Sequence, residues 1–119
     1  MPIKQITQND LKFTNIMPGP WFVATGCSWR RILTETFDKP VIVPSNHHFD
    51  GHPDLAAGGQ DLELAAASPE LLVSLINMVS VLTPGAANFN EVEQKAYDES
   101  IAAIKKSGAM RLLNQVLAD

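Results

Sequence analysis

The sequence predicts an α+β fold: a small N-terminal antiparallel β-meander of about three strands, then an antiparallel helical hairpin and a short C-terminal helix. Three observations predict it. Short runs rich in aromatic and β-branched residues recur between 21 and 43, separated by turn residues. From about residue 60 the apolar spacing changes from two to about 3.6 residues. The gaps between the strand-like runs are too short for the crossover that parallel pairing needs.

The elements follow in order. Residues 1–15 form a polar lead-in with scattered apolar positions. Residues 16–20, IMPGP, make a turn, because proline fixes φ and withholds a backbone donor while glycine is permissive. The first strand is Trp21–Thr25, WFVAT. Gly26, Cys27 and Ser28 turn the chain into a second strand over 29–36. Residues 37–40, FDKP, turn it again into a third strand over 41–43, ended by Pro44.

Residues 45–59 hold three His, two Asp, three Gly and one Pro and read as a variable loop. Beyond it, Leu62, Ala65 and Ala66 share a face of a short helix. Ser68 then reads as the N-cap of a new helix. Pro69 suits its first position and Glu70 suits the positive helix start. Leu71, Leu72, Leu75, Ile76, Val79 and Leu82 form its apolar stripe, and Thr83-Pro84-Gly85 ends it. Asn90 and Glu93 have capping-box spacing for the next helix. Phe89, Val92, Ala96, Tyr97, Ile101 and Ile104 line one of its faces, and Ser107-Gly108 is the stop. A last helix over 109–118 buries Leu112, Leu113, Val116 and Leu117. One domain, 1–119, is expected, with the meander over 18–44, the loop over 45–59 and the helical part over 60–119.

Composition narrows the function classes. With 45% hydrophobic and 18% charged residues, the chain has the material for a core and lacks the signature of disorder. Its single cysteine rules out an intramolecular disulfide framework and fits a reducing compartment. Residues 1–10 lack the apolar centre of a signal peptide. The longest apolar run, 71–82, is about a dozen residues interrupted by Ser74, Asn77 and Ser80, which reads as too short and too polar to span a bilayer. A cytoplasmic protein without membrane contact is therefore expected.

The net charge of −4 is uneven. Residues 1–44 are net positive, whereas 45–83 carry Asp50, Asp54, Asp61, Glu63 and Glu70 and no Lys or Arg. No cluster of basic residues is large enough to track a phosphate backbone, so no direct nucleic-acid contact is expected.

The chain also carries a family resemblance. Pro20-Trp21 opens the meander, a variable loop follows, and then comes LELAAASPELL over 62–72. This arrangement resembles the Ead/Ea22-like group of small tailed-phage and prophage accessory proteins. There a "PW" strand start precedes a helix ending in an "AAAPELL"-type segment. The likeness covers roughly 18–79, and AYDESIAAIKKSG over 96–108 is similar to the tail of such proteins. Ser68 is inserted into the usual alanine–proline junction, and the helix over 109–118 is extra. The resemblance implies phage origin and an α+β fold, and it brings no catalytic residues with it.

Few constellations carry chemistry. His47, His48 and His52 with Asp50 and Asp54 put three imidazoles and two carboxylates within eight residues, a set able to hold a divalent ion. The spacing matches no established metal motif, and the simpler reading is a polar surface loop. Cys27 reads as a small packing residue in preference to a nucleophile. Trp21 and Trp29 with Arg30 and Arg31 would suit base stacking and phosphate contact, although tryptophans on a sheet first suggest core and edge packing.

Three functions remain in competition. The leading one is a non-catalytic phage interaction protein that binds and inhibits a host or defence-system protein, in the manner of an anti-CRISPR. Its contact candidates are Trp29, Arg30, Arg31, His47, His48, Asp50, His52 and Asp54, and it needs no cofactor. The second is a metal-binding module or metal-dependent enzyme built on His47, His48 and His52. The third is an oligomeric sponge for a nucleotide signal, using Trp21, Trp29, Arg30 and Arg31. A homodimer is the assembly expected if the helix faces find a second copy.

Overall fold

A computed structural model describes residues 5–25, 30–34, 40–42 and 59–118. The chain divides into two compact units, Gly19–Glu70 and Met1–Pro18 with Leu71–Asp119. The architecture is the α+β arrangement that the sequence predicts, a three-stranded antiparallel sheet followed by helices.

In the unit 19–70, β1 (Trp21–Thr25), β2 (Arg30–Thr34) and β3 (Pro40–Ile42) lie in the order β1-β2-β3. Trp21 pairs with Thr34, Val23 with Ile32 and Ala24 with Arg31. The central strand supplies the buried residue: Ile32 is 1% exposed. The β2–β3 pairing is irregular, with Ile32 opposite Ile42 and Leu33 opposite Pro40. One step along β2 thus spans two along β3, which makes Val41 the extra residue of a bulge. The third strand is expected from Val41 but begins at Pro40. An edge strand tolerates this because proline needs no ladder donor on its open side.

The main departure from the sequence reading is α1 (Gly59–Leu82), a single helix of 24 residues. A short helix followed by a new one capped by Ser68 is expected there; instead the helix runs through Pro69. Proline at 69 cannot donate to the Ala65 carbonyl four residues back. Ser68 is not an N-cap; its Oγ donates to that carbonyl at 2.7 Å and so takes over the missing amide's task. Ser68→Ala should therefore destabilise by about 0.5–1.5 kcal/mol. In a Pro69→Ala background, where an amide is restored, the same change should cost much less. A urea-denaturation double-mutant cycle checks this, and equal costs in both backgrounds would refute the substitution of hydroxyl for amide.

The uninterrupted helix also corrects the estimate of apolar length. Residues 59–88 form a helical run long and apolar enough to cross a membrane by length and composition, with a mean hydropathy of 1.6 in its best window. Part of the run serves as a core helix: Ile76 is 0% and Val79 1% exposed.

In the other unit, the expected polar lead-in is structured over residues 5–15. A 3-10 helix, Gln8–Thr14, starts at a capping box in which Asp10 accepts from the Thr7 amide at 2.8 Å. Thr7-x-x-Asp10 was the signal, with Asp in place of the usual Glu or Gln. The helix seats Leu11 in the core with Ile6 beside it. Asn77 of α1 grips the same segment. The Ile6 amide donates to Asn77 Oδ1 at 2.7 Å, and Asn77 Nδ2 donates to the Ile6 carbonyl at 3.0 Å.

After α1 a 3-10 helix, Thr83–Asn88, carries Pro84 and Gly85. α2 (Glu91–Lys106) then starts at the expected capping box: the Glu93 amide donates to Asn90 Oδ1 at 2.8 Å, and Glu93 Oε1 accepts from the Asn90 amide at 2.9 Å. It ends in a Schellman motif. Gly108 sits at φ +87°, its amide donates to Lys105, and the Ala109 amide donates to the Ile104 carbonyl at 3.3 Å. α3 (Met110–Leu117) closes the unit, burying Leu112, Leu113 and Val116 against Ile76, Val79 and Ile104.

The stripes are used unevenly. On α1, Ile76 and Val79 are fully buried and Leu72 and Leu75 partly so, but Leu71 and Leu82 are 54% and 40% exposed. On α2, Tyr97, Ile101 and Ile104 pack inward, whereas Val92 is 78% exposed and Ala96 is exposed as well.

Candidate functional site

Apolar residues that the core leaves out gather where α2 folds back along the end of α1. Thr83 fixes the approach. Its hydroxyl donates to the Val79 carbonyl at 2.7 Å and lies 2.6 Å from the Tyr97 hydroxyl. A threonine has one hydroxyl proton, already given to Val79, so Tyr97 is the donor in the second bond. Phe89 meets Tyr97 edge-on, with ring centroids 5.4 Å apart at 64°. These contacts leave a groove of about 350 Å³ lined on one side by Met78, Val79 and Leu82 and on the other by Phe89, Ala96, Tyr97 and Ser100. Glu93 is the charged residue in its wall.

Both helices carry further exposed residues at helical spacing. Leu71, Met78 and Leu82 follow spacings of seven and four on α1, the separation that keeps residues on one side of a helix. All three are exposed, as is Val81. Val92, Ala96, Glu99 and Ala103 follow spacings of four, three and four on α2 and are exposed too.

A second, more open cavity of about 290 Å³ lies between the Gln8–Thr14 helix and α3. Gln5, Asp10 and Gln115 give it a more polar lining than the groove, and Phe13 at its edge is 60% exposed.

The residues singled out from sequence fall elsewhere. Trp29, His47, His48, Asp50, His52 and Asp54 lie outside the described residues, as does Cys27. Arg30 begins β2, paired with Thr25. Arg31 is half-buried in β2. The strand register puts it on the sheet face of Phe22 and Leu33, opposite the face of Trp21, Val23 and Ile32. Trp21 and Arg31 are therefore not assembled into one stacking site. Among the described residues no group of three or more His, Cys, Asp or Glu is placed to hold a metal ion. The groove went unnoticed in the sequence because Met78, Leu82, Val92 and Ala96 read equally well as core.

These features define a small α+β protein whose most developed surface is an apolar groove bordered by carboxylate. The chain matches the family model of Salmonella phage P22 protein Y8K6 over residues 7–110, and it belongs to that family. It is a phage protein, as its resemblance to phage accessory proteins implies. The match runs from Thr7, the cap of the first 3-10 helix, to the start of α3. No curated protein and no solved structure matches the chain.

Proposed function

We propose that this protein is a non-catalytic phage accessory factor that binds a host or defence-system protein and inhibits it, with an anti-CRISPR inhibitor as the most concrete version. The observation that carries this reading is the exposed apolar groove of a phage protein of 119 residues. A contiguous exposed apolar patch costs solubility, and in small soluble proteins it commonly marks an interaction site. The likeness of residues 18–79 to the Ead/Ea22-like group points the same way, since those are accessory proteins.

Two experiments test the reading. Tagged protein passed over lysate of a bacterial host is expected to retain one protein in stoichiometric amount. Adding the purified phage protein to that target should then lower the target's activity, and a retained target with unchanged activity would remove the inhibitor role. For the anti-CRISPR version, expression in a host with active CRISPR immunity should restore plating of a targeted phage. Unchanged plating would discard that version alone.

A further inference from the structure

We infer that the outer face of α1 packs against a second copy of this chain, the two α1 helices lying antiparallel about a two-fold axis. The inference goes beyond the interaction reading above and does not depend on it. α1 is apolar on two sides. One side is core: Leu62, Ala66, Ile76 and Val79 are buried. On the side away from these, Leu64, Leu71 and Met78 repeat at intervals of seven, each more than half exposed. Ala67, Ser74 and Val81 follow each of them by three residues, Ala67 half-buried and the other two exposed. A helix that is apolar on every side belongs inside a larger core. Alternating steps of three and four are the spacing with which two helices share a seam along their length.

The row is complementary to itself, which selects the second copy as its occupant. An antiparallel α1 centred between positions 72 and 73 sets Leu64 against Val81, Leu71 against Ser74 and Met78 against Ala67 of the other copy. The two-fold axis makes each of these contacts twice. Every layer then joins a large side chain to a smaller one, the arrangement with which facing positions fill a core evenly. A parallel pair would instead stack leucine on leucine and methionine on methionine in some layers, and alanine on alanine and serine on serine in others. Charge selects the same orientation. Asp61, Glu63 and Glu70 are the only charged residues of α1, all in its first half, and residues 71–82 carry none. Antiparallel pairing lays each acidic half along the uncharged half of the other helix, whereas parallel pairing sets the acidic halves side by side.

The test uses the full chain. Sedimentation equilibrium over a dilution series should give twice the chain mass of 13.0 kDa. L71E should raise the dimer dissociation constant about tenfold or more. Its far-UV circular dichroism spectrum should not change, because Leu71 is exposed within one chain. Cysteine pairs in a C27S background read the orientation without relying on that variant. Oxidation of an A67C chain mixed with an M78C chain should link the two to each other. A67C alone should not link to itself, since the two copies of position 67 lie 11 residues, about 16 Å, apart along the seam, beyond the reach of a disulfide.

A chain that stays monomeric through the dilution series would overturn the inference, as would a dimer that L71E leaves intact. Linkage of A67C to itself, with none to M78C, would overturn it in favour of a parallel pair. A monomer that retains a host protein through Leu71, shown by loss of capture in L71E, would overturn it in favour of a foreign partner. Co-sedimentation of a monomer with phosphatidylcholine vesicles that L71E abolishes would overturn it in favour of a membrane.

Discussion

Leu113→Ala should lower the unfolding free energy by about 2–5 kcal/mol, the range for deleting a fully buried leucine side chain. Leu113 is 0% exposed and packs in the cluster with Ile76, Val79 and Ile104. α3 has eight residues and no side-chain N-cap hydrogen bond, so little intrinsic helix stability supports it. What holds it is its buried face: Leu112, Leu113 and Val116. Truncating the central one leaves a cavity and weakens the attachment of the helix to α2 and the Gln8–Thr14 helix. The measurement is urea denaturation followed by far-UV circular dichroism. Leu71→Ala, at a position 54% exposed, is the matched control and should cost no more than about 1 kcal/mol. Similar losses at 113 and 71 would contradict the assignment of α3 to the core.

Asn77→Ala should cost about 2–3 kcal/mol. The side chain makes two hydrogen bonds to one residue, at 2.7 and 3.0 Å, bridging 71 positions of sequence. Removing it strips both the amide and the carbonyl of Ile6 of a partner where Ile6 itself is 7% exposed. A buried backbone group left unmatched costs about 1–3 kcal/mol, and part of that is recovered if the segment detaches and meets water. Asn77→Asp separates the two bonds. A carboxylate accepts from the Ile6 amide but has no proton for the Ile6 carbonyl, so it should also destabilise the fold. Hydrogen exchange gives the local readout. The Ile6 amide should exchange faster in Asn77→Ala than in wild type, by more than global stability alone dictates. Unchanged protection of Ile6 would show that the segment is held by Leu11 and the core without Asn77.

These two residues also show where sequence reading stops. α3 was legible, because Leu112, Leu113, Val116 and Leu117 follow helical spacing. Its central place in the core was not, because spacing shows which face is apolar and not what covers it. Asn77 was misread in a more instructive way. Along the chain it counts as a polar interruption of an apolar run, together with Ser74 and Ser80. In the fold, Asn77 faces the backbone of Ile6, and Ser80 is 5% exposed. A partner 71 residues away leaves no local mark.

The same division runs through the candidate site. The conspicuous side chains, His47, His48 and His52, lie outside the described residues, and Trp21 and Arg31 are set on opposite sheet faces by strand register. The groove is instead built from residues with no individual signature. Val92 was expected to pack inward, yet α2 turns Tyr97, Ile101 and Ile104 to the core and leaves Val92 and Ala96 outside.

By itself the sequence determined what depends on neighbours a few residues apart. The strand run at Trp21–Thr25, the Asn90–Glu93 cap and the glycine stop at 108 are local choices, each made by hydrogen bonds or φ preferences within one turn of chain. Tertiary structure decided what depends on residues far apart in the chain. It selected which apolar faces of α1 and α2 became core and which became groove. A helix can bury only the side that another element reaches, and the distant segments at Ile6, Leu11 and α3 reach one side only. The passage of α1 through Pro69 lies between these cases. The proline signals a start, but Ser68 satisfies the carbonyl that proline abandons, and one hydroxyl turns an expected boundary into a continuous helix.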